Sequence, residues 1–246
     1  MIPFFRGTQW KFPDLSHRAE LVEEMDRADS PEDRLFRTLA QFDPINRRFS
    51  RYRTLFNRYV LSDMTSARPR RLLDLGAGGC DIGRWLIRQC RKRGLELSIT
   101  AMEHDPRVVR YARAACRDYP EIEVVEQDIR DPLPLAKVDY VFANHLLHHL
   151  PDQACIALIR QIDRAAPRRY LLSDMLRSFW AYCGFALYTA PFFRDSFLVT
   201  DGLASIRRSF TLAEVGALLH AAQPVNSVVL HRLMPCRFAV IGGTAL

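Results

Sequence analysis

The sequence predicts an α/β fold, a doubly wound and mostly parallel sheet with helices on both faces. Three observations predict it. A short apolar run carrying one acid, Leu72-Leu73-Asp74-Leu75, breaks into glycines at Gly76, Gly78 and Gly79. A helical pattern follows at once, with Ile82, Trp85, Leu86, Gln89 and Cys90 at i, i+3, i+4, i+7 and i+8. Over residues 70–173, strand-like runs alternate with helical ones, as crossovers in a parallel sheet require.

The strand, glycine turn and helix start form a nucleotide-type cradle. Glycines let a ligand approach the backbone, and free N–H groups at the helix start receive its polar atoms. A dinucleotide fingerprint, G-x-G-x-x-G, needs a third glycine where this chain has Asp81. What the chain has instead is an acid, Asp74, two residues before the first glycine.

Three further strands end in polar groups. Leu97–Glu103 leads into His104, Asp105 and Pro106; proline suits the first helical position and Asp105 the N-cap. Ile122–Gln127 alternates and ends at Asp128, followed by Ile129. Val138–Asn144 runs into His145, His148, His149, Pro151 and Asp152. A fifth strand, Tyr170–Ser173, ends near Asp174. Taken singly, each acid also suits a solvated loop or a turn cap, and each histidine a packing role.

Residues 1–69 read as an N-terminal helical lid over the open cleft, and 70–246 as the nucleotide-binding domain. Pro3, Pro13 and Pro31 punctuate the lid, and Ser30-Pro31 predicts an N-cap with proline at the first helical position. An aromatic-rich insertion occupies about 175–208, with Phe179–Tyr188, Phe192 and Phe193 between Arg177 and Arg194. It reads as core packing or as the wall of an apolar channel. Thr211 and Glu214 form a capping-box pattern, and Ser227–Leu230 and Phe238–Ile241 supply the last two strands.

At 246 residues the chain can bury a sizeable core. The net charge of +7 is spread over nearly every helix, which argues against a nucleic-acid face and leaves peripheral contact with an anionic membrane surface open. No apolar run has the spanning length of roughly 18–20 residues, and no signal-like start is present. Six scattered cysteines without a C-x-x-C pair suit reduced thiols, and the expectation is a cytoplasmic enzyme.

The D-x-G-x-G arrangement at Asp74, Gly76 and Gly78 resembles motif I of class I S-adenosylmethionine methyltransferases; Cys80 stands where that family often has a third glycine. The resemblance covers roughly residues 70–153. It implies a Rossmann-like seven-stranded sheet with an antiparallel final strand, and S-adenosylmethionine as cofactor, with S-adenosylhomocysteine as product. It also implies the cofactor residues: Asp74, Gly76, Ala77 and Gly78 at the methionine part, Glu103 with His104 at the ribose, and Asp128 and Ile129 at the adenine. Asn144 and His145 would face the cofactor from the fourth strand.

The central region further resembles ubiquinone/menaquinone-biosynthesis-type methyltransferases. Stretches around 15–47 and 201–211 are similar to methyltransferases that accompany type III polyketide synthases. That implies O- or C-methylation of a small hydrophobic or aromatic acceptor, such as a phenol, quinol or polyketide-like lipid. Within the resemblance, His148 with Asp174 is the expected base pair, His149 the competing choice, and Arg53 a candidate for the cofactor carboxylate. No metal is expected, because the histidines lack an H-E-x-x-H or cysteine partner and Pro151 interrupts the helix. The Asn-Pro-Pro-Tyr motif of common nitrogen methylators is missing. An RNA or protein methyltransferase and a non-catalytic binder are the alternatives. The sequence leaves the acceptor and the oligomeric state open.

Overall fold

A computed structural model describes residues 12–193 and 195–246; Pro3 and Arg194 lie outside the described residues. Seven strands form one sheet: β1 (Arg70–Leu75), β2 (Leu97–Glu103), β3 (Ile122–Glu126), β4 (Tyr140–Asn144), β5 (Arg169–Met175), β6 (Val228–Leu233) and β7 (Arg237–Gly242). Their order is β3-β2-β1-β4-β5-β7-β6. The first five are parallel, and β7 runs antiparallel to both β5 and β6. The chain order reverses between β1 and β4, so the crevice lies at the carboxyl ends of these strands.

Side-chain alternation divides the core between the two faces of the sheet. Leu72, Ile99, Phe142 and Leu171 face α3 (Asp81–Arg93) and the N-terminal helices. Leu73, Met102, Val141 and Leu172 face α5 (Asp152–Arg164) and α8 (Leu212–Ala222). Phe56 packs on Phe142 at 4.7 Å between ring centroids and on Trp85 at 6.3 Å, and all three are buried. Truncating one such aromatic to alanine costs about 3–5 kcal/mol. Residues 52–64 therefore share the main core, while Leu35 and Leu39 pack in a separate cluster with Val108 and Phe197.

That region holds α1 (Glu32–Ile45), the π-type turn Asn46–Ser50, α2 (Tyr52–Phe56) and a second π-type turn, Asn57–Leu61. Arg51 breaks the run in a left-handed conformation, φ 59°. The expected Ser30 cap does not form. Pro31 takes the N-cap position, because the Ser30 hydroxyl is engaged with the Met25 carbonyl and the Arg107 guanidinium. The other caps match their sequence patterns. Asp105 accepts from Arg107 N at the start of α4 (Pro106–Ala115), and Thr211 with Glu214 closes a capping box on α8. The aromatic insertion forms α6 (Phe179–Thr189), followed by α7 (Leu198–Arg208). Among the described residues, no helix is long and apolar enough to cross a membrane.

Candidate active site

The glycine turn after β1 supplies the first wall. Gly76 and Gly78 have φ of +66° and +53°, a region costly for residues with a Cβ. A Cβ on Gly76 would also lie 3.1 Å from Leu146 Cδ1. Gly78 N–H donates to Glu103 Oε2 at 3.1 Å, tying the turn to the tip of β2. Glu103 Oε1 accepts from His104 N at 2.8 Å and Asp105 N at 3.2 Å, so the acid is held by backbone donors from two strand tips.

Asp74, Asp81 and Glu103 are all buried around this turn. Burial pushes Asp74 well above the usual carboxylate range, and the neighbouring Asp81 and Glu103 push it further. Asp81 is also raised, chiefly by burial, although it accepts a 3.1 Å bond from Asn46 Nδ2. Clustered, desolvated acids suit a cationic ligand, because a positive charge relieves both penalties. An ammonium and a sulfonium fit that donor set.

Farther along the crevice, Gln127, Asp128 and Ile129 line the same cavity. The Asp128 carboxylate closes on Arg130, with Nη2 2.5 Å from Oδ2, and that hydrogen bond above all holds its pKa near about 2. Asn144 Oδ1 accepts from Arg237 Nη2 at 2.7 Å, and His145 Nε2 lies 3.3 Å from Arg237 Nη1. Burial, then Arg237, drives His145 well below its usual pKa. Arg53 is not a wall residue. Its guanidinium lies over the Tyr52 and Trp85 rings, at 5.7 and 5.8 Å, because α2 turns it onto the aromatic core.

Farther along the same cavity, His148 and Asp174 meet. His148 Nδ1 is 2.9 and 3.0 Å from the two Asp174 oxygens, and His148 N–H donates to Oδ2 at 3.1 Å. Both residues are buried. The opposite ring nitrogen, Nε2, faces Glu23 Oε1 at 3.5 Å and has no hydrogen-bond partner. Burial works against a charged ring, but the Asp174 and Glu23 carboxylates hold the His148 pKa up at about 9. Burial likewise works against a charged Glu23, yet its contacts with His148 bring it to about 2. His149 is adjacent, with Nε2 3.9 Å from Glu23 Oε1 and Nδ1 3.3 Å from Asp26 Oδ2.

Glu23 was invisible as a site residue in the sequence, where Glu23-Glu24 resembles a solvated acidic pair. Long-range contacts bring it in. Glu24 N and Met25 N donate to Asp201 of α7 at 2.9 Å each, and Glu23 Oε1 accepts from Ser205 Oγ at 2.7 Å and Arg208 Nη1 at 3.1 Å. Arg18 fastens the preceding chain to the histidine turn through the His148 and Leu150 carbonyls. Asn46, Asp81 and Arg237 were missed for the same reason: nothing local marks them. Asp81 alone left a trace, as the residue that spoils the dinucleotide fingerprint.

One cavity of about 800 Å³ joins the two halves. It runs from the carboxylate crevice past His145, His148 and His149 to Trp180, Gly184, Phe185 and Tyr188 of α6. The aromatic insertion thus borders the space beyond the cradle.

Residues 72–167 match the family model described as a methyltransferase domain. No curated protein matches the chain. Among solved structures, it is similar to an S-adenosylmethionine-dependent methyltransferase from Aquifex aeolicus, with 17% identity and a TM-score of 0.58 over 84% of this chain and 97% of that one. It is also similar to human N-acetylserotonin methyltransferase in complex with S-adenosylmethionine, with 17% identity, a TM-score of 0.61, and 88% and 57% of the two chains covered. A third similar structure is the CMeT domain of the citrinin polyketide synthase, with 14% identity, a TM-score of 0.57, and coverage of 89% and 54%. The chain spans nearly all of the first but little more than half of the other two. Residues 72–167 are thus matched as a methyltransferase domain, on a fold that the chain shares with these structures.

Proposed function

We propose that the chain methylates a small hydrophobic or aromatic acceptor bearing a hydroxyl or an activated ring carbon, of the phenol, quinol or polyketide-like class. The observation that carries this reading is the continuity of one cavity. Its charged end is built from Asp74, Asp81 and Glu103, its far end from the aromatic residues of α6, and the Glu23–His148–Asp174 cluster stands between.

S-adenosylmethionine, when bound, supplies a methyl group already activated by its sulfonium. Asp74 and Asp81 would hold the ammonium, Glu103 with His104 the ribose, and Ile129 with Asp128 the adenine. Asn144 and His145 would border the reacting end. The chain's remaining work is to orient the acceptor about 3 Å from the methyl carbon and exclude water. Trp180, Phe185 and Tyr188 provide apolar surface for an aromatic ring. A hydroxyl acceptor would have to give up its proton on taking the methyl group. The Glu23–His148–Asp174 cluster borders that point, and His148 would take the proton only in its neutral form, with Asp174 fixing the ring from behind.

The names of two similar structures, one for a small-molecule acceptor and one for a polyketide synthase, support this acceptor class. The test is incubation of the purified chain with methyl-labelled S-adenosylmethionine and a panel of phenols, quinols, alkylresorcinols and tRNA, with products read by mass spectrometry. A label on an aromatic member is expected. Label on tRNA alone, or cofactor binding with no label anywhere, overturns the reading.

A further inference from the structure

Glu23, His148 and His149 repeat one arrangement twice. Each histidine has its Nδ1 against an aspartate: His148 at 2.9 Å from Asp174 and His149 at 3.3 Å from Asp26. Each turns its Nε2 toward the same oxygen, Glu23 Oε1, at 3.5 and 3.9 Å. The rings lie 4.2 Å apart, and the three ligand atoms fall within 4.8 Å of one another.

Such a carboxylate–histidine pair is the usual outer support of a metal-bound imidazole, because it fixes the tautomer that leaves Nε2 free. Two ligand atoms on one tetrahedral zinc lie about 3.4 Å apart, given bonds of about 2.0–2.1 Å. The observed spacings need only small side-chain adjustments to reach it. His148 Nε2 is buried, without a hydrogen-bond partner, and directed into the cluster. Ser205 Oγ and Arg208 Nη1 donate to this same oxygen, Glu23 Oε1, so a cation there would share it with them. Among the described residues, three carboxylates contact the two rings, and Arg208 is the one guanidinium that contacts those carboxylates at Glu23 and Asp26.

We infer that Glu23, His148 and His149 form a binding site for one divalent cation of the zinc class, open to the acceptor cavity. Two imidazoles and a carboxylate with a free fourth position is a ligand set zinc accepts, and methyl transfer asks for no redox chemistry. The inference rests on the acceptor reading above for its purpose. A hydroxyl acceptor would bind in the fourth position and lose its proton to water; its oxygen would then take the methyl group as the methyl–sulfur bond breaks, leaving S-adenosylhomocysteine, and the methylated product would leave the cation. The wall then acts by making the acceptor's oxygen acidic.

The probe is zinc chloride added to chelator-stripped full-length chain, with uptake followed by calorimetry and by metal analysis after desalting. One zinc per chain is expected. Glu23→Gln and His149→Ala should each weaken uptake at least about 10-fold, and Asp26→Asn, which touches no ligand atom, by about 10-fold or more. Cobalt substitution should give the visible absorption of a four-coordinate site, lost in the same variants. S-adenosylmethionine binding, measured in parallel, reports that each variant is folded. Failure of the folded chain to retain zinc, or equal retention in Glu23→Gln and His149→Ala, overturns the inference. Label transfer by the zinc-free chain at the full rate removes the cation's catalytic purpose while leaving the proposed function intact.

Discussion

Asn46 Nδ2 donates to Asp81 Oδ2 at 3.1 Å, joining the turn after α1 to the first residue of α3 across 35 positions of sequence. Both residues are buried. The bond ties the N-terminal helices to the cavity, which Asn46 and Asp81 both line. Its loss leaves a buried carboxylate without its amide donor. Asn46→Ala should therefore cost about 1.5–3 kcal/mol in urea unfolding and weaken S-adenosylmethionine binding as well. Unchanged unfolding would mean that water replaces the amide at no cost.

In the proposed cofactor site, Asp74 would serve the ligand at the expense of the free protein. Its carboxyl is raised well above the usual range, first by burial and then by Asp81 and Glu103. Asp74→Asn removes the charge and keeps the shape. The ligand-free chain should be at least as stable as wild type, while S-adenosylmethionine affinity falls by about 10- to 100-fold, the worth of one hydrogen bond to a charged group. Calorimetry and urea unfolding on the same samples check both halves.

Gly83 is a glycine without a conformational reason. It lies inside α3, lacks a positive φ, and a Cβ there would meet Ile99 Cδ1 at 3.6 Å and Ile122 Cδ1 at 3.7 Å, ordinary contact distances. Gly83→Ala should stabilise the fold by about 1 kcal/mol, since alanine loses less backbone entropy and fills apolar space. The urea midpoint should rise with an unchanged slope. Gly76→Ala, with its φ of +66° and the Leu146 contact, should do the reverse.

Asp63 sets an acid limb far from the site. Arg168 donates to it at 2.6 and 2.8 Å and Tyr140 at 2.6 Å. The Arg168 hydrogen bonds, against some burial and with help from Tyr140, bring its pKa to about 2. The unfolded value is about 4. The stabilisation is thus complete above about pH 4 and fades as pH falls toward 2, where the folded carboxylate also takes a proton. Asp63→Asn should flatten the stability profile over that window and leave its shape unchanged above pH 5. An unaltered acid limb would assign it to other carboxylates.

The proposed cofactor half of the site rests on signals that are local. A strand that ends in an acid, a turn that needs positive φ, and a helix opened by proline each occupy a few consecutive residues. Residues 70–153 hold four such units in order. The pairing of His148 with Asp174 was reachable for a related reason: both stand at the tips of neighbouring strands, and strand order follows from the alternation. The aromatic run at 179–188 declared its apolar character, though not that one side, with Trp180, Phe185 and Tyr188, would border the cavity while Leu187 remains exposed.

Local periodicity and turn chemistry determined the sheet, the glycine cradle and the acids on successive strand tips, since these depend on backbone conformation and nearest neighbours. Tertiary structure alone decided that Glu23 would face His148 from 125 residues away, that Asn46 would hold Asp81, and that Arg53 would rest on Trp85 rather than line the crevice. Those contacts join segments by packing across long loops. A charged side chain on an irregular segment carries no periodic mark of the direction in which the folded chain will turn it.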